Sequence, residues 1–171
     1  KIDARIAGLA EDAEVPLALR QAAIAALPRG GRECAAALES LASNLTALAP
    51  SVRLDVRVAA GLPAIDDAKD PLAAWRDCLD GGDAVRGRAI FEQRQDVSCI
   101  RCHAVAGVGG TVGPALDKLG VRRDGESILR SLVQPMAEIV EGYPAAMPDV
   151  VRHALTSFEL RDLIAWLRSL R

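Results

Sequence analysis

The chain has 171 residues, of which 50% are hydrophobic and only 3% aromatic, and its formal net charge is −2. This length allows one ordinary domain or two small ones, and a composition rich in Ala and Leu favours closely packed helices. The near-neutral charge argues against a polybasic surface for nucleic acid, and no apolar run reaches the roughly 18–20 uncharged residues that span a bilayer. Because the chain starts at Lys1 without a signal-peptide pattern, we expect it to be a fragment of a longer protein.

The first part of the chain, residues 1–65, contains an internal repeat. Segments 15–23 and 52–60 share an apolar pattern, and each contains Arg-x-Ala-Ala, with Arg20 and Arg57 standing 37 positions apart. Each copy follows another amphipathic stretch, and helix pairs at this period build α-solenoids. The segment resembles HEAT repeats, which usually carry a basic residue at the position of the two arginines. The alternative is a generic four-helix segment that is similar only because it is rich in Ala and Leu.

Residues 66–80 are predicted to form a connector. A polar, turn-prone stretch up to Pro71 is followed by a short helix over residues 72–79, which ends at Gly81 and Gly82. The connector contains Cys78, which would either form a disulfide with Cys34 in an oxidising compartment or remain a buried thiol.

The most informative motif is Cys-Ile-Arg-Cys-His at residues 99–103. C-x-x-C-H is the attachment pattern of c-type haem, in which both thiols add to the porphyrin vinyl groups. Cys99 and Cys102 are therefore predicted to tether one haem, and His103 to supply an imidazole nitrogen to its iron. The remaining Cys and His residues are too scattered for a zinc site. Since c-type haem is generally attached outside the cytoplasm, we expect a periplasmic or other extracytoplasmic location.

From residue 81 to 171 the chain resembles a class I cytochrome c. Asp83 is placed to cap a helix over residues 84–92, and the segment 156–159, Thr-Ser-Phe-Glu, is a capping box that opens a C-terminal helix. The resemblance implies that these two helices cross, with contact residues Gly87, Phe91 and Trp166. The predicted fold is therefore all-α: a short HEAT-like solenoid segment (1–65), a connector helix (66–80) and a class I cytochrome c domain (81–171).

The same resemblance implies the surroundings of the haem iron. A proline at the position of Pro114 accepts a hydrogen bond from the free nitrogen of the ligand histidine through its carbonyl. The distal methionine of the family matches Met147, whereas Met136 is expected to fill core space. His153 as the sixth ligand and an open sixth site remain alternatives. Metal ligands are thus predicted at His103 and Met147, and Pro114 is predicted to support the cofactor.

The residues between Gly113 and Tyr143 also look like the planctomycete-type haem-binding domain. That family is usually found at the C-terminal end of large secreted proteins, after HEAT-like repeats and a dehydrogenase-like domain. This chain departs from the family pattern after Gly142-Tyr143, where it proceeds directly to Met147-Pro148 and a helix.

The predicted function is electron transfer by one covalent haem c with His/Met ligation, in the C-terminal module of a larger secreted dehydrogenase-type protein. The partner would be a redox protein or a fused dehydrogenase domain, and the fragment itself is not predicted to be an enzyme. A haem domain with an open or displaceable sixth site, for ligand binding or peroxide chemistry, is the alternative. Arg101, Arg122 and Arg123 would either pair with haem propionates or lie on a solvated surface.

Overall fold

The computed structural model describes residues 1–66 and 68–171, and Asp67 of the predicted connector lies outside the described residues. Across these residues the regular secondary structure is helical, apart from one two-stranded sheet, which confirms the all-α class. The chain divides into two compact units, Lys1–Ile65 and Asp66–Arg171. Among the described helices, none is long and apolar enough to cross a membrane.

The first unit consists of helices joined by short turns. These helices are α1 (Ile2–Glu11), α2 (Leu17–Ala26), α3 (Arg32–Ser43) and α4 (Pro50–Ala59). Helix α1 packs on α2 and α3, and α4 also packs on α2 and α3, so that two consecutive helix pairs stack on each other. Their shared core buries mainly small and aliphatic side chains, such as Ile24, Val52 and Val56. Small side chains let the helix axes approach closely, as the Ala-rich composition predicts.

The two arginines of the internal repeat make different contacts. Arg20 is buried at 7% exposure, and its Nε donates to the carbonyl of Ala10 at 3.0 Å, which joins α2 to the last turn of α1. Arg57 instead donates through Nη1 to the carbonyl of Pro63 at 3.1 Å, beyond the end of its own helix. The helix pairing agrees with a repeat architecture, and the assignment to HEAT repeats stays a prediction.

The second unit contains the C-x-x-C-H motif between short helices and one β-hairpin. Its elements are a 3₁₀ helix (Ala73–Cys78), α5 (Ala84–Gln93), α6 (Cys99–Cys102), β1 (Ala104–Val105), β2 (Val108–Gly109), α7 (Leu119–Arg122), α8 (Gly125–Val133), α9 (Val151–Ala154) and α10 (Ser157–Ser169). The strands pair in antiparallel fashion, Ala104 with Gly109 and Val105 with Val108.

Helices α5 and α10 form the largest helix contact of this unit. At the crossing, a side chain at Gly87 would overlap the backbone carbonyl of Asp162, so only glycine allows this approach. Next to it the rings of Phe91 and Trp166 lie 4.6 Å apart at their centroids. The buried carboxylate of Asp162 accepts from Nε of Arg86 at 2.6 Å, which adds a polar link between the helices. The predicted crossing and its contact residues are confirmed.

Both predicted helix caps are present. The side chain of Asp83 accepts from the backbone N–H of Val85 at 2.8 Å at the start of α5. At the start of α10, Thr156 and Glu159 form the reciprocal capping box. Each cap satisfies N–H groups that have no partner within the helix.

The segment predicted as a connector belongs to the second compact unit. Its 3₁₀ helix packs on α10 and α8, and the side chains of Leu72 and Cys78 are almost fully buried. Arg76 pairs with Glu126 of α8 at 2.6 Å. Cys34 and Cys78 are free, buried thiols in different units, and burial raises the pKa of Cys78 to about 12.

Candidate haem-binding site

The C-x-x-C-H motif begins with a single helical turn, α6. Ser98 before it is left-handed (φ 48°), and the backbone N–H of His103 donates to the carbonyl of Cys99 at 3.0 Å to close the turn. Cys99 and Cys102 are three positions apart, a spacing at which side chains share one face of a helix. Both thiols are free and partly buried, and burial raises the pKa of Cys99. The turn therefore presents two thiols side by side, followed immediately by an imidazole.

The imidazole of His103 is held by the loop that follows the hairpin. Its Nδ1 lies 2.9 Å from the carbonyl oxygen of Pro114. Because a carbonyl can only accept, this contact assigns the proton to Nδ1 and leaves the lone pair of Nε2 for a metal. Gly113 lies against the ring, where an added Cβ would come within 2.8 Å of Nδ1, and its N–H donates to the carbonyl of Cys102 at 2.8 Å. The carbonyl of Pro114 is therefore the hydrogen-bond partner of this imidazole, and its role in supporting a cofactor stays a prediction.

Further polar contacts support this proximal loop. Asp117 accepts from the backbone N–H of Ala106 at 2.8 Å, at the tip of the β-hairpin. Arg122 donates through Nη2 to the carbonyls of Ala115 and Asp117, at 3.1 and 2.8 Å. In this structure, Arg122 therefore forms hydrogen bonds with the backbone of the loop. Asp117 and Arg122 thus both hold the loop that carries Pro114, the acceptor for His103.

A cavity of about 280 Å³ lies against the motif and is lined by Cys99, Cys102 and His103. Its other lining side chains are mainly apolar and come from the five helices α5, α7, α8, α9 and α10 and from the loops between the helices of this unit. They include Phe91, Leu116, Ile128, Leu132, Leu163 and Leu167. A mainly apolar cavity that gathers a few polar groups at one wall is typical of a cofactor site.

The residues at this cavity fit a haem c. The paired thiols are adjacent to His103, which is the histidine among the described lining residues, the Nδ1 contact leaves Nε2 available, and Gly113 places no side chain against the ring. Within the described part of the chain, no three His, Cys, Asp or Glu side chains cluster to hold a metal ion by themselves. This donor set suits an iron whose equatorial ligands come from a macrocycle.

The candidates for the sixth ligand lie in different surroundings. Met147 is partly buried and lines the cavity. Met136 also lines the cavity but is 52% exposed, so the expectation that it fills core space is wrong. It follows Pro135 in the turn after α8 and therefore lies at the cavity rim. His153 is exposed on α9 and does not line the cavity. The geometry brings both methionines, but not His153, to the site.

One polar contact at the cavity was not anticipated from the sequence. Arg123 and Glu138, which both line the cavity, form a bidentate ion pair with N–O distances of 2.8 and 2.5 Å. The guanidinium of Arg123 holds the pKa of Glu138 below its ordinary value. The two residues are fifteen positions apart in different segments, so no helical or strand spacing indicates the pair. Arg101 also lines the cavity with an exposed side chain.

Comparison with known proteins agrees with this geometry. The chain is 32% identical over 96 residues to a protein named cytochrome c oxidase subunit 2 from Alkalihalophilus pseudofirmus (strain ATCC BAA-2126 / JCM 17055 / OF4), a match that covers 52% of this chain. The chain spans only about a quarter of that relative, 26% of its length. The family model for cytochrome c matches residues 84–171, which is more than half of the chain and includes the complete motif and cavity. The chain therefore belongs to the cytochrome c family, whose members bind haem c and transfer electrons.

Proposed function

We propose that the second unit carries one covalent haem c with His103 and Met147 as axial ligands and works as a one-electron carrier. The observation that carries the proposal is the contact between Nδ1 of His103 and the carbonyl of Pro114 at 2.9 Å. It sets the tautomer and orientation that an axial imidazole needs. The two thiols of the same motif line the same cavity, next to that imidazole.

Cys99 and Cys102 are the attachment points. Each S–H would add across one vinyl C=C bond, so that sulfur bonds to one carbon and the hydrogen goes to the other. This addition is redox-neutral and loses no atoms. Bound haem supplies the Fe(III)/Fe(II) couple. The chain contributes an apolar wall that limits water, a fixed imidazole on one side and a thioether on the other, which favours ferrous iron.

The wider context extends this proposal. The haem unit would be extracytoplasmic and form the C-terminal module of a larger secreted oxidoreductase of the dehydrogenase type. It would take electrons from that domain or from a separate redox partner. The partial match to cytochrome c oxidase subunit 2, a quarter of that protein's length, supports the idea that such a haem unit serves as one module of a longer redox protein. Under this proposal, the fragment itself catalyses no reaction.

A second candidate function is a haem unit with a displaceable sixth ligand. The segment around Met147 favours it, because its backbone hydrogen bonds are local. Tyr143 donates to Val140 at 3.1 Å and Ala146 donates to Pro144 at 2.8 Å. A ligand residue held by local turns exchanges more readily than one held in a helix. Small ligands or peroxide would then reach the iron.

The two methionines provide a matched test. The ferric holoprotein should show the weak far-red absorption band of a methionine–iron bond. The band should disappear in Met147→Ala and persist in Met136→Ala. Loss of the band in Met136→Ala alone would reassign the ligand. A high-spin ferric spectrum without the band in the wild type would favour the second candidate.

The covalent attachment needs its own measurement. The mass of the acid-extracted polypeptide should exceed the apoprotein mass by one haem. Cys99→Ser and Cys102→Ser should each leave one thioether bond, and the double variant should release the haem into the organic phase. A wild-type protein that loses its haem on extraction would contradict the proposal.

A further inference from the structure

The segment 134–149, here called the methionine segment, is weakly anchored by its own backbone. Its backbone hydrogen bonds within the described chain connect residues no more than four positions apart, such as the N–H of Gln134 to the carbonyl of Arg130 at the start of the segment. Three prolines within it, Pro135, Pro144 and Pro148, have no N–H to donate. Local turns of this kind hold the shape of a loop but do not fix it to the rest of the unit.

Apolar packing adds only modest anchoring to the methionine segment. Several of its larger apolar side chains remain substantially exposed: Met136 at 52%, Ile139 at 51%, Val140 at 39% and Tyr143 at 38%. The hydrophobic stabilisation of a side chain scales with the area removed from water, so half-exposed residues contribute correspondingly less. A contact other than apolar packing is therefore needed to hold the methionine segment close to the cavity.

The long-range polar contact described for this segment is the ion pair of Glu138 with Arg123. Both guanidinium Nη atoms donate to the two carboxylate oxygens, at 2.8 and 2.5 Å. The side chain of Arg123 is 28% exposed and that of Glu138 is 50% exposed, so the arginine end of the pair is partly shielded from solvent. A bidentate arginine–carboxylate pair restrains orientation as well as distance, which a single hydrogen bond does not.

The arginine end of the pair is held by hydrogen bonds at two helix ends. The backbone N–H of Arg123 donates to the carbonyl of Leu119 at 2.9 Å at the end of α7. The next residue, Asp124, caps α8 by accepting from the N–H of Ser127 at 2.8 Å. Arg123 thus lies at the fixed junction of two helices, and its partner lies on the weakly anchored segment. The ion pair of Arg123 with Glu138 therefore restrains the methionine segment.

We propose that Arg123 and Glu138 are positioning residues that hold the methionine segment over the cavity and so stabilise the bond between Met147 and the iron against exogenous ligands. This inference rests on the proposed function for the identity of the sixth ligand. It concerns the equilibrium between Met147 and a competing ligand. Breaking the pair releases the segment and raises the apparent affinity of the ferric protein for a small ligand.

The test is an imidazole titration of the ferric holoprotein. Arg123→Gln and Glu138→Gln should each raise the apparent imidazole affinity roughly threefold to fivefold, the upper range for a partly exposed but bidentate ion pair. The double variant should resemble either single variant, because both changes remove the same contact. Arg88→Gln is the matched control, since it breaks the exposed pair with Glu92 on α5 and should leave the affinity unchanged.

Ionic strength provides a second prediction of the same proposal. Salt screens charges near a surface, so imidazole affinity should rise with salt in the wild type and stay flat in Glu138→Gln. An effect of Arg123→Gln without one of Glu138→Gln would show that the arginine acts on the haem itself, and this would overturn the proposal. Additive effects in the double variant would overturn it as well.

Amide hydrogen exchange separates failure of this proposal from failure of the proposed function. Exchange of the N–H groups in 134–149 should accelerate in both single variants and not in Arg88→Gln, whichever ligand occupies the sixth position. A wild-type spectrum without the methionine band would refute the ligand assignment alone, and the exchange measurement would then decide whether the pair restrains the segment. Unchanged exchange in both variants would overturn the proposal.

Discussion

Replacing Gly113 with alanine is expected to disturb the ring of the proximal histidine directly. The added Cβ would lie 2.4 Å from Cε1 and 2.8 Å from Nδ1 of His103, distances that real Cβ atoms essentially never show. The backbone of Gly113 is not left-handed, so the effect is steric and not conformational. Either the loop or the imidazole must move.

The expected size follows from the two ways of relieving the overlap. Inserting a methyl group into a packed site costs roughly 1–3 kcal/mol. If the ring turns instead, the hydrogen bond from Nδ1 to Pro114, 2.9 Å long, is weakened or lost, which costs about 1 kcal/mol more. Gly113→Ala should therefore lower the free energy of unfolding of the holoprotein by about 2–4 kcal/mol. Because the imidazole is also reoriented, the reduction potential should change.

The assay is guanidinium unfolding of the ferric holoprotein followed by haem absorbance, together with a redox titration. Gly107→Ala is the control, because its φ of +77° adds strain of about 1 kcal/mol while nothing lies within 4 Å of its Cβ position. Its reduction potential should match the wild type. A Gly113→Ala protein within about 0.5 kcal/mol of the wild type and with the same potential would refute the reasoning.

Two further predictions concern helices α5 and α10. Gly87→Ala should destabilise the second unit by about 2–3 kcal/mol in denaturant unfolding, because the new methyl group meets the carbonyl of Asp162. The control, Gly8→Ala, adds a methyl group in open space on α1 and should be neutral or slightly stabilising. Equal effects of the two substitutions would contradict the close crossing. The backbone N–H of Thr156 donates to the carboxylate of Glu159 and holds the pKa of Glu159 below its ordinary value. The stabilisation that this cap gives the folded protein is therefore fully present above about pH 4.3 and is lost as pH falls through the lowered pKa. Glu159→Gln should thus be about 1 kcal/mol less stable than the wild type at pH 7, with the gap closing in acid, and a gap that stays constant down to pH 3 would contradict this.

The predictions that the structure bears out are local in sequence. The cap of Thr156 by Glu159 depends on residues three positions apart, and one helical turn brings them together. Cys99, Cys102 and His103 come together for the same reason, because a C-x-x-C-H stretch closes a single turn. The contact of Pro114 with His103 was expected only from family resemblance, since the two residues are eleven positions apart with a β-hairpin between them. Whether these residues bind the haem as proposed is left to the spectra described above.

Apart from the contacts that the family resemblance implies, contacts between distant segments were not visible in the sequence. Met136 was expected in the core because its side chain is apolar, yet it lies half-exposed at the cavity rim beyond the end of α8. The polar start of the connector suggested a linker, whereas Leu72 and Cys78 are buried in the second unit. Hydropathy predicts that a residue prefers burial but does not say which surface will cover it.

The sequence by itself determined the helical class, the helix caps and the haem-attachment motif, because each depends on residue types within a few positions of one another. Only the tertiary structure decided that both methionines reach one cavity and that Arg123 meets Glu138 there. It also decided how closely α5 and α10 approach at Gly87, where an added Cβ would lie 1.9 Å from the carbonyl oxygen of Asp162. The physical reason is that packing joins segments far apart in the chain, and their relative placement depends on the whole folded unit.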